Sequence, residues 1–125
     1  MWVGDEHHPV DCLIFASGFE FGGTMERRTG FDAVGRGGRK LSEHWADGMR
    51  SLHGMFVHGF PNLFMMGHTQ TGFTANYPHA LNEQSKHIGY IITSCQAGNH
   101  NVVEARAEAE QEWVDTIIAL ARMNE

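Results

Sequence analysis

The sequence is short of most features that would announce a chemistry. Cysteine occurs only twice, as Cys12 and Cys95, with no metal-type spacing and no partner cluster. That leaves a reduced, cytoplasmic setting as the expectation. Lys and Arg together number nine against fifteen Asp and Glu, a formal charge of −6, and no basic run occurs. A nucleic-acid partner is therefore not expected, since its phosphates would meet no basic face. No apolar stretch approaches the roughly 18 residues that span a bilayer, and the acidic opening Met1-Trp2-Val3-Gly4-Asp5-Glu6 does not read as a signal peptide. Neither the G-x-G-x-x-G fingerprint nor the Walker A spacing is present, so the chain holds no complete phosphate cradle. Ser17 lies between Ala16 and Gly18 without the G-x-S-x-G elbow, and nothing nominates a base or an oxyanion hole beside it.

What the sequence does have is glycine and histidine. The fifteen glycines fall mostly between Gly18 and Gly72, which suggests a first half made of turns and close backbone approaches. The nine histidines do not form a metal set. His53 and His58 would point to opposite faces of an extended segment, and His79 and His87 lie about two helical turns apart, too far to share one ion. With 42% apolar and 19% charged residues, the 125-residue chain has the composition of one small folded domain.

Val10-Asp11-Cys12-Leu13-Ile14-Phe15-Ala16 is a nearly continuous apolar run that Ser17-Gly18 ends, the pattern of a strand buried on both faces. Residues 29–41 read as a β-hairpin or meander with Gly35-Arg36-Gly37-Gly38 at its tip. Residues 42–48 read as one helical turn capped by Ser42 and ended by Gly48, with Trp45 anchoring the loop. A short strand is expected at 52–57, and Leu63-Phe64-Met65-Met66-Gly67 reads as a second buried strand that stops at a glycine. A polar loop follows over 68–78. Leu81, Ile88, Ile91, Ile92 and Cys95 then predict an amphipathic helix over 79–95, and Trp113, Ile117, Leu120 and Ala121 a second over 106–123. Between them, Asn101 with Glu104 fits either a capping box or a short extended piece. The strand, loop and helix of residues 63–95 place the loop over the carboxyl edge of a sheet, beside a helix N-terminus able to stabilise an electron-rich group.

The order of these segments carries a resemblance. Asp11-Cys12-Leu13-Ile14-Phe15-Ala16-Ser17-Gly18-Phe19 resembles the "ATGF" strand of the flavin-containing and Baeyer–Villiger monooxygenases, with Ser17 for the usual Thr. A Gly-rich meander and Trp45-Ala46-Asp47-Gly48 follow, as in that family. Gly59-Phe60-Pro61-Asn62-Leu63-Phe64-Met65-Met66-Gly67 is similar to its "FPNLF…G" strand. Glu83-Gln84, then Val103-Glu104-Ala105 through Ala109-Glu110 and Trp113, complete a match that runs from about residue 10 to 118.

The resemblance implies an α/β fold: the C-terminal fragment of a Rossmann-like FAD-binding domain, with short strands and a β-meander followed by two helices. It implies a single partial domain over 1–125, with a strand and meander part at 10–67 and a helical part at 79–123. The family binds FAD and NADPH and inserts oxygen beside a ketone or aldehyde carbonyl. Flavin contacts would come from Ala16, Ser17 and Gly18, from Gly67, and from Asn76 and Tyr77, where a backbone N–H meets the pyrimidine edge of the ring. Gln70, Thr71 and Phe73 would face the substrate. His68-Thr69-Gln70 replaces the family's commoner Gly-Pro start of this loop. The resemblance assigns no catalytic residue here, because the dinucleotide fingerprints, the region of the active-site arginine and the mobile loop with its Trp and Pro-Gly-Lys have no counterpart in the sequence. The expectation is an inactive piece that needs the N-terminal part of an enzyme as partner and can self-associate through uncovered strands. An N-oxygenating flavin monooxygenase and a non-catalytic interaction module are the alternatives.

Overall fold

The computed structural model describes residues 1–14, 16, 25–67, 70–71 and 74–122. The expected site residues Ser17, Gly18 and Phe73 lie outside the described residues, as does the end of the first expected strand.

The chain opens with a hairpin of β1 (Trp2–Val3) and β2 (Glu6–His7), turned at Gly4, whose φ of 59° suits a residue without a Cβ. Residues 10–14 are exposed and irregular, with Ile14 81% accessible. The strand expected there is not found among the described residues. An apolar run becomes a strand only when a neighbour takes up its N–H and C=O groups, and among the described residues β1 and β2 are the only paired strands. The same holds for 63–66. That segment is half-buried except at Met66 and makes one cross-chain bond, from Met65 N–H to Met55 O at 2.9 Å.

After α1 (Met25–Thr29), the expected meander is reduced to a single bridge between Val34 and Lys40 around a 3-10 turn at Arg36–Gly38. The glycines do stand at its tip, with Gly37 and Gly38 at φ of 68° and 79°. Gly35 is required for a different reason: a Cβ there would lie 2.3 Å from the Gly59 carbonyl and 2.8 Å from the Phe60 ring. Helix α2 (Leu41–His44) follows. Ser42 does not cap it. Its N–H and Oγ instead donate to the Asp32 carboxylate at 3.1 and 2.5 Å, while the Lys40 N–H donates to Glu43 Oε2. Trp45 does anchor the loop, donating its ring N–H to Arg50 O at 2.8 Å.

The stretch expected as a strand at 52–57 is a tight turn bridged from Leu52 to Phe56, with His53 at φ 55° and Gly54 at φ 69°. It supplies Met55, Phe56 and Val57 to the core. Val57 and Phe60 pack with Leu41 under Ala33, Trp45, Leu63 and Met65; Met55 and Phe56 pack with Ala105 under Leu52, Phe64, Ile88 and Ile91.

Helix α3 (Tyr77–Ala97) begins two residues before its apolar pattern, because Asn76 accepts from the His79 N–H at 3.2 Å and Pro78 suits the first turn. Helix α4 spans Ala107–Arg122. Between them the extended alternative for 101–105 holds. The Asn62 N–H donates to Val103 O, the Val103 N–H to Asn62 Oδ1, and Asn62 Nδ2 to Asn101 O. Glu104 fastens the same segment, accepting from the Gly59 N–H at 2.7 Å and from Arg36 Nε at 2.8 Å. Among the described residues no helix is long and apolar enough to cross a membrane.

The chain exposes 9545 Å², against about 6,700 Å² for a folded monomer of its size by the usual mass scaling. Val34, Phe31 and Tyr90 are among the apolar side chains left in solvent. Light scattering on the isolated chain should therefore find a dimer or larger species. A monomer at micromolar concentration that binds no apolar dye would contradict this.

Candidate flavin and substrate loop

Residues 67–77 join the end of the half-buried 63–66 segment to the N-terminus of α3, and the chain holds this loop at two points. The first is Gly67. Its N–H donates to Gln84 Oε1 at 3.0 Å, and Gln84 Nε2 donates back to Gly67 O at 2.7 Å. The Thr71 hydroxyl reaches the same carbonyl at 3.4 Å. The second is Gln70, whose backbone takes φ 55°. Its side-chain oxygen accepts from Ser51 Oγ at 2.6 Å, its Nε2 donates to Met49 O at 2.5 Å, and its carbonyl accepts from the Trp113 ring N–H at 3.0 Å. Trp113 is held in turn by an edge contact with His53, ring centres 4.6 Å apart.

Beneath the loop lies a cavity of about 380 Å³, lined by His53, Met55, Thr71, Thr74, Gln84 and Trp113. Its wall is apolar sulfur and ring with a few hydroxyl and amide groups, the make-up of a small-molecule site. At Gly67 a Cβ would meet nothing within 4 Å, so its backbone borders open space. The N-terminus of the 21-residue helix that follows carries a partial positive charge.

The structure thus gathers Gly67, Gln70 and Thr71, with Thr71 on the cavity and Gln70 committed to its own chain. Asn76 and Tyr77 stand exposed at the start of α3. The Asn76 N–H donates to Thr74 Oγ1 at 3.2 Å, so of the two backbone groups expected to meet the flavin this one is bonded within the loop. Ala16 is exposed in an irregular stretch. Gln84, Ser51 and Trp113 are the site-forming residues whose roles sequence reasoning missed. Gln84 left a signal: it stands between Leu81 and Ile88 in an apolar stripe, where a polar side chain must find a buried partner.

A polar cluster forms around Glu110, one turn before Trp113 on α4. Glu110, 3% exposed, accepts from the His58 N–H at 2.6 Å and has His44 Nε2 at 3.8 Å and Arg50 Nε at 3.9 Å. Burial pushes the His44 imidazole below its ordinary value of 6.5, with Arg39 adding to the effect and Glu110 opposing it. The bond from Arg36, followed by that from the Gly59 N–H, holds the Glu104 carboxyl below its ordinary 4.5. Folded His44 thus binds its proton less readily than the unfolded chain does. Its contribution is fully present above about pH 6.5 and is lost as pH falls toward the folded value. The Glu104 contribution is present above about pH 4.5 and is lost below it. The melting temperature should fall in two stages, one below about pH 6.5 and one below about pH 4.5, and His44→Phe, which cannot titrate, should abolish only the upper one. Parallel curves for the two proteins between pH 7 and pH 5 would show that His44 does not contribute. Among the described residues no three His, Cys, Asp or Glu side chains gather to hold a metal ion.

A glycine-ended segment, a clasped loop and a helix N-terminus thus lie beside one apolar cavity. By sequence and fold the chain is a homologue of part of the Baeyer–Villiger type of these enzymes. It is 53% identical over 124 residues to neopentalenolactone D synthase of Streptomyces avermitilis, covering 98% of this chain and 21% of that protein. Among solved structures, it matches the polycyclic ketone monooxygenase of Thermothelomyces thermophila at 36% identity and a TM-score of 0.65, over 71% of this chain and 14% of that one. A cyclohexanone monooxygenase mutant from Rhodococcus sp. Phi1, bound to NADP+, matches at 27% identity and a TM-score of 0.73, over 92% and 22% of the two chains. The match therefore spans between 14% and 22% of the length of these relatives. No family model matches it.

Proposed function

We propose that this chain is the C-terminal part of the FAD-binding unit of a Baeyer–Villiger monooxygenase, framing the pyrimidine side of the flavin and one wall of the ketone pocket. The whole of 1–125 then forms one partial domain, completed by the nucleotide-binding parts that the relatives carry elsewhere in their length. Its setting is the cytoplasm. The observation that carries the reading is the loop at 67–71, clasped by Gln84 and Trp113 over a cavity of the right make-up, in a chain whose sequence also matches a protein named as a Baeyer–Villiger monooxygenase.

In that assembly the flavin, reduced by NADPH, supplies oxygen activation. The residues of this chain do the binding and the exclusion of water. Gly67 would leave space for the ring plane, and the positive end of the α3 dipole, at Asn76 and Tyr77, would face the pyrimidine edge. Met55 and Trp113 would cover the apolar body of a ketone or aldehyde, and Thr71 would border it. Oxygen is inserted beside the substrate carbonyl.

Transplantation tests this. Neopentalenolactone D synthase with its matching segment replaced by this chain should fold with bound FAD and consume NADPH and oxygen when given a ketone. The 125-residue chain alone should do neither. A folded chimera that lacks flavin, or that holds flavin and oxidises no carbonyl compound, would overturn the reading. The uncovered apolar surface supports a second reading, a non-catalytic interaction module. That reading predicts an inert chimera and a chain that associates with a partner without flavin.

A further inference from the structure

We propose that Gln84 is a positioning residue: it fixes the Gly67 peptide, and with it the loop at 67–71, in the geometry that receives the flavin. This rests on the flavin reading of the loop given above. Gln84 is 8% exposed, the one buried residue of α3, and it spends both ends of its amide on the N–H and C=O of a single residue, Gly67. Such a reciprocal pair has the form of the double bond between facing residues in an antiparallel sheet. A helix residue here replaces the neighbouring strand that the 63–66 segment lacks among the described residues, and it ties α3 to the segment's end in one register. It does so beside the cavity that Gln84 itself lines. Gly67 has no side chain and borders open space, so among the described residues only the longer 3.4 Å bond from the Thr71 hydroxyl to its carbonyl shares the task of resisting a flip or sideways shift.

The chemistry of the pair supplies its own test. A protonated carboxylic acid has the same acceptor and donor as an amide, whereas a carboxylate has lost the donor and would set its negative oxygen against Gly67 O. Gln84→Glu should therefore keep the clasp while protonated and lose it on ionisation, which burial and the facing carbonyl push above the usual carboxylate range. Gln84→Met fills the same space without either bond. His53, which lines the same cavity, is unchanged in both variants, so Gln84→Met controls for it.

The experiment is amide hydrogen exchange at Gly67 in the 125-residue chain, corrected for intrinsic rate and read from pH 4.5 to pH 8, with the Ile88 amide as a check that α3 is intact. The native chain should stay protected throughout, and Gln84→Met should lose about tenfold protection at every pH. Gln84→Glu should match the native chain at low pH and Gln84→Met at high pH. Equal protection in all three, or a Gln84→Glu that follows Gln84→Met at every pH, would reduce Gln84 to packing and overturn the proposal. The FAD affinity of the chimera carrying Gln84→Glu should fall across the same titration. If exchange follows the titration and affinity does not, while Gly67→Val still weakens FAD, the positioning role fails and the flavin reading stands. If neither variant alters FAD affinity, the flavin reading fails too.

Discussion

Glu110→Leu should lower the unfolding free energy of the chain by about 1.5–3 kcal/mol, the usual cost of losing a hydrogen bond to a charged group whose partner stays buried. The Glu110 carboxylate is the only acceptor shown for the His58 N–H, at 2.6 Å, and it faces His44 and Arg50 at 3.8 and 3.9 Å. Leucine removes all three interactions and leaves a peptide N–H without a partner. Glu110→Gln keeps an oxygen for the His58 N–H and loses the charge, so it should cost less than Glu110→Leu. Urea unfolding followed by tryptophan fluorescence, at fixed protein concentration because association shifts stability, reads the difference. Equal midpoints for the native chain and Glu110→Leu would mean that α4 is not held to the 57–60 turn through this carboxylate. The effect bears on function, because α4 also carries Trp113, which donates to Gln70 O across the top of the loop.

The two long helices were legible in the sequence. Expected over 79–95 and 106–123, they run from Tyr77 to Ala97 and from Ala107 to Arg122. Apolar residues at three- and four-residue spacing record a helix in purely local terms, and only the Asn76 cap, with Pro78 in the first turn, extended the first of them. The hairpin tip at Arg36–Gly38 was legible too, since Gly37 and Gly38 sit at positive φ. The expected strands were not. An apolar run such as 10–14 or 63–66 records burial, but pairing depends on a neighbour elsewhere in the chain, and no such ladder occurs among the described residues.

The site was legible at its backbone and hidden at its supports. Gly67, Gln70 and Thr71 do converge at one loop. That Gln70 would be spent on Ser51 and Met49, and Gln84 on Gly67, depended on contacts between residues 17 to 21 positions apart, which no local pattern shows.

The second large effect falls on the flavin itself. Gly67→Val adds a branched side chain that meets nothing of this chain within reach of its Cβ, so the substitution should leave the fold intact. Any loss then reports on what occupies the open space. In the chimera, Val at this position should weaken FAD by about 1–3 kcal/mol through lost close packing and one lost hydrogen bond to the ring edge, or about five- to 150-fold. Tyr77→Phe should leave affinity nearly unchanged, because the contact assigned to Tyr77 is a backbone one. A flavin fluorescence titration of the chimera and these two variants tests the account most directly. The account predicts that Gly67→Val alone binds FAD weakly; equal affinity in all three proteins would contradict it and remove Gly67, Asn76 and Tyr77 from the flavin site.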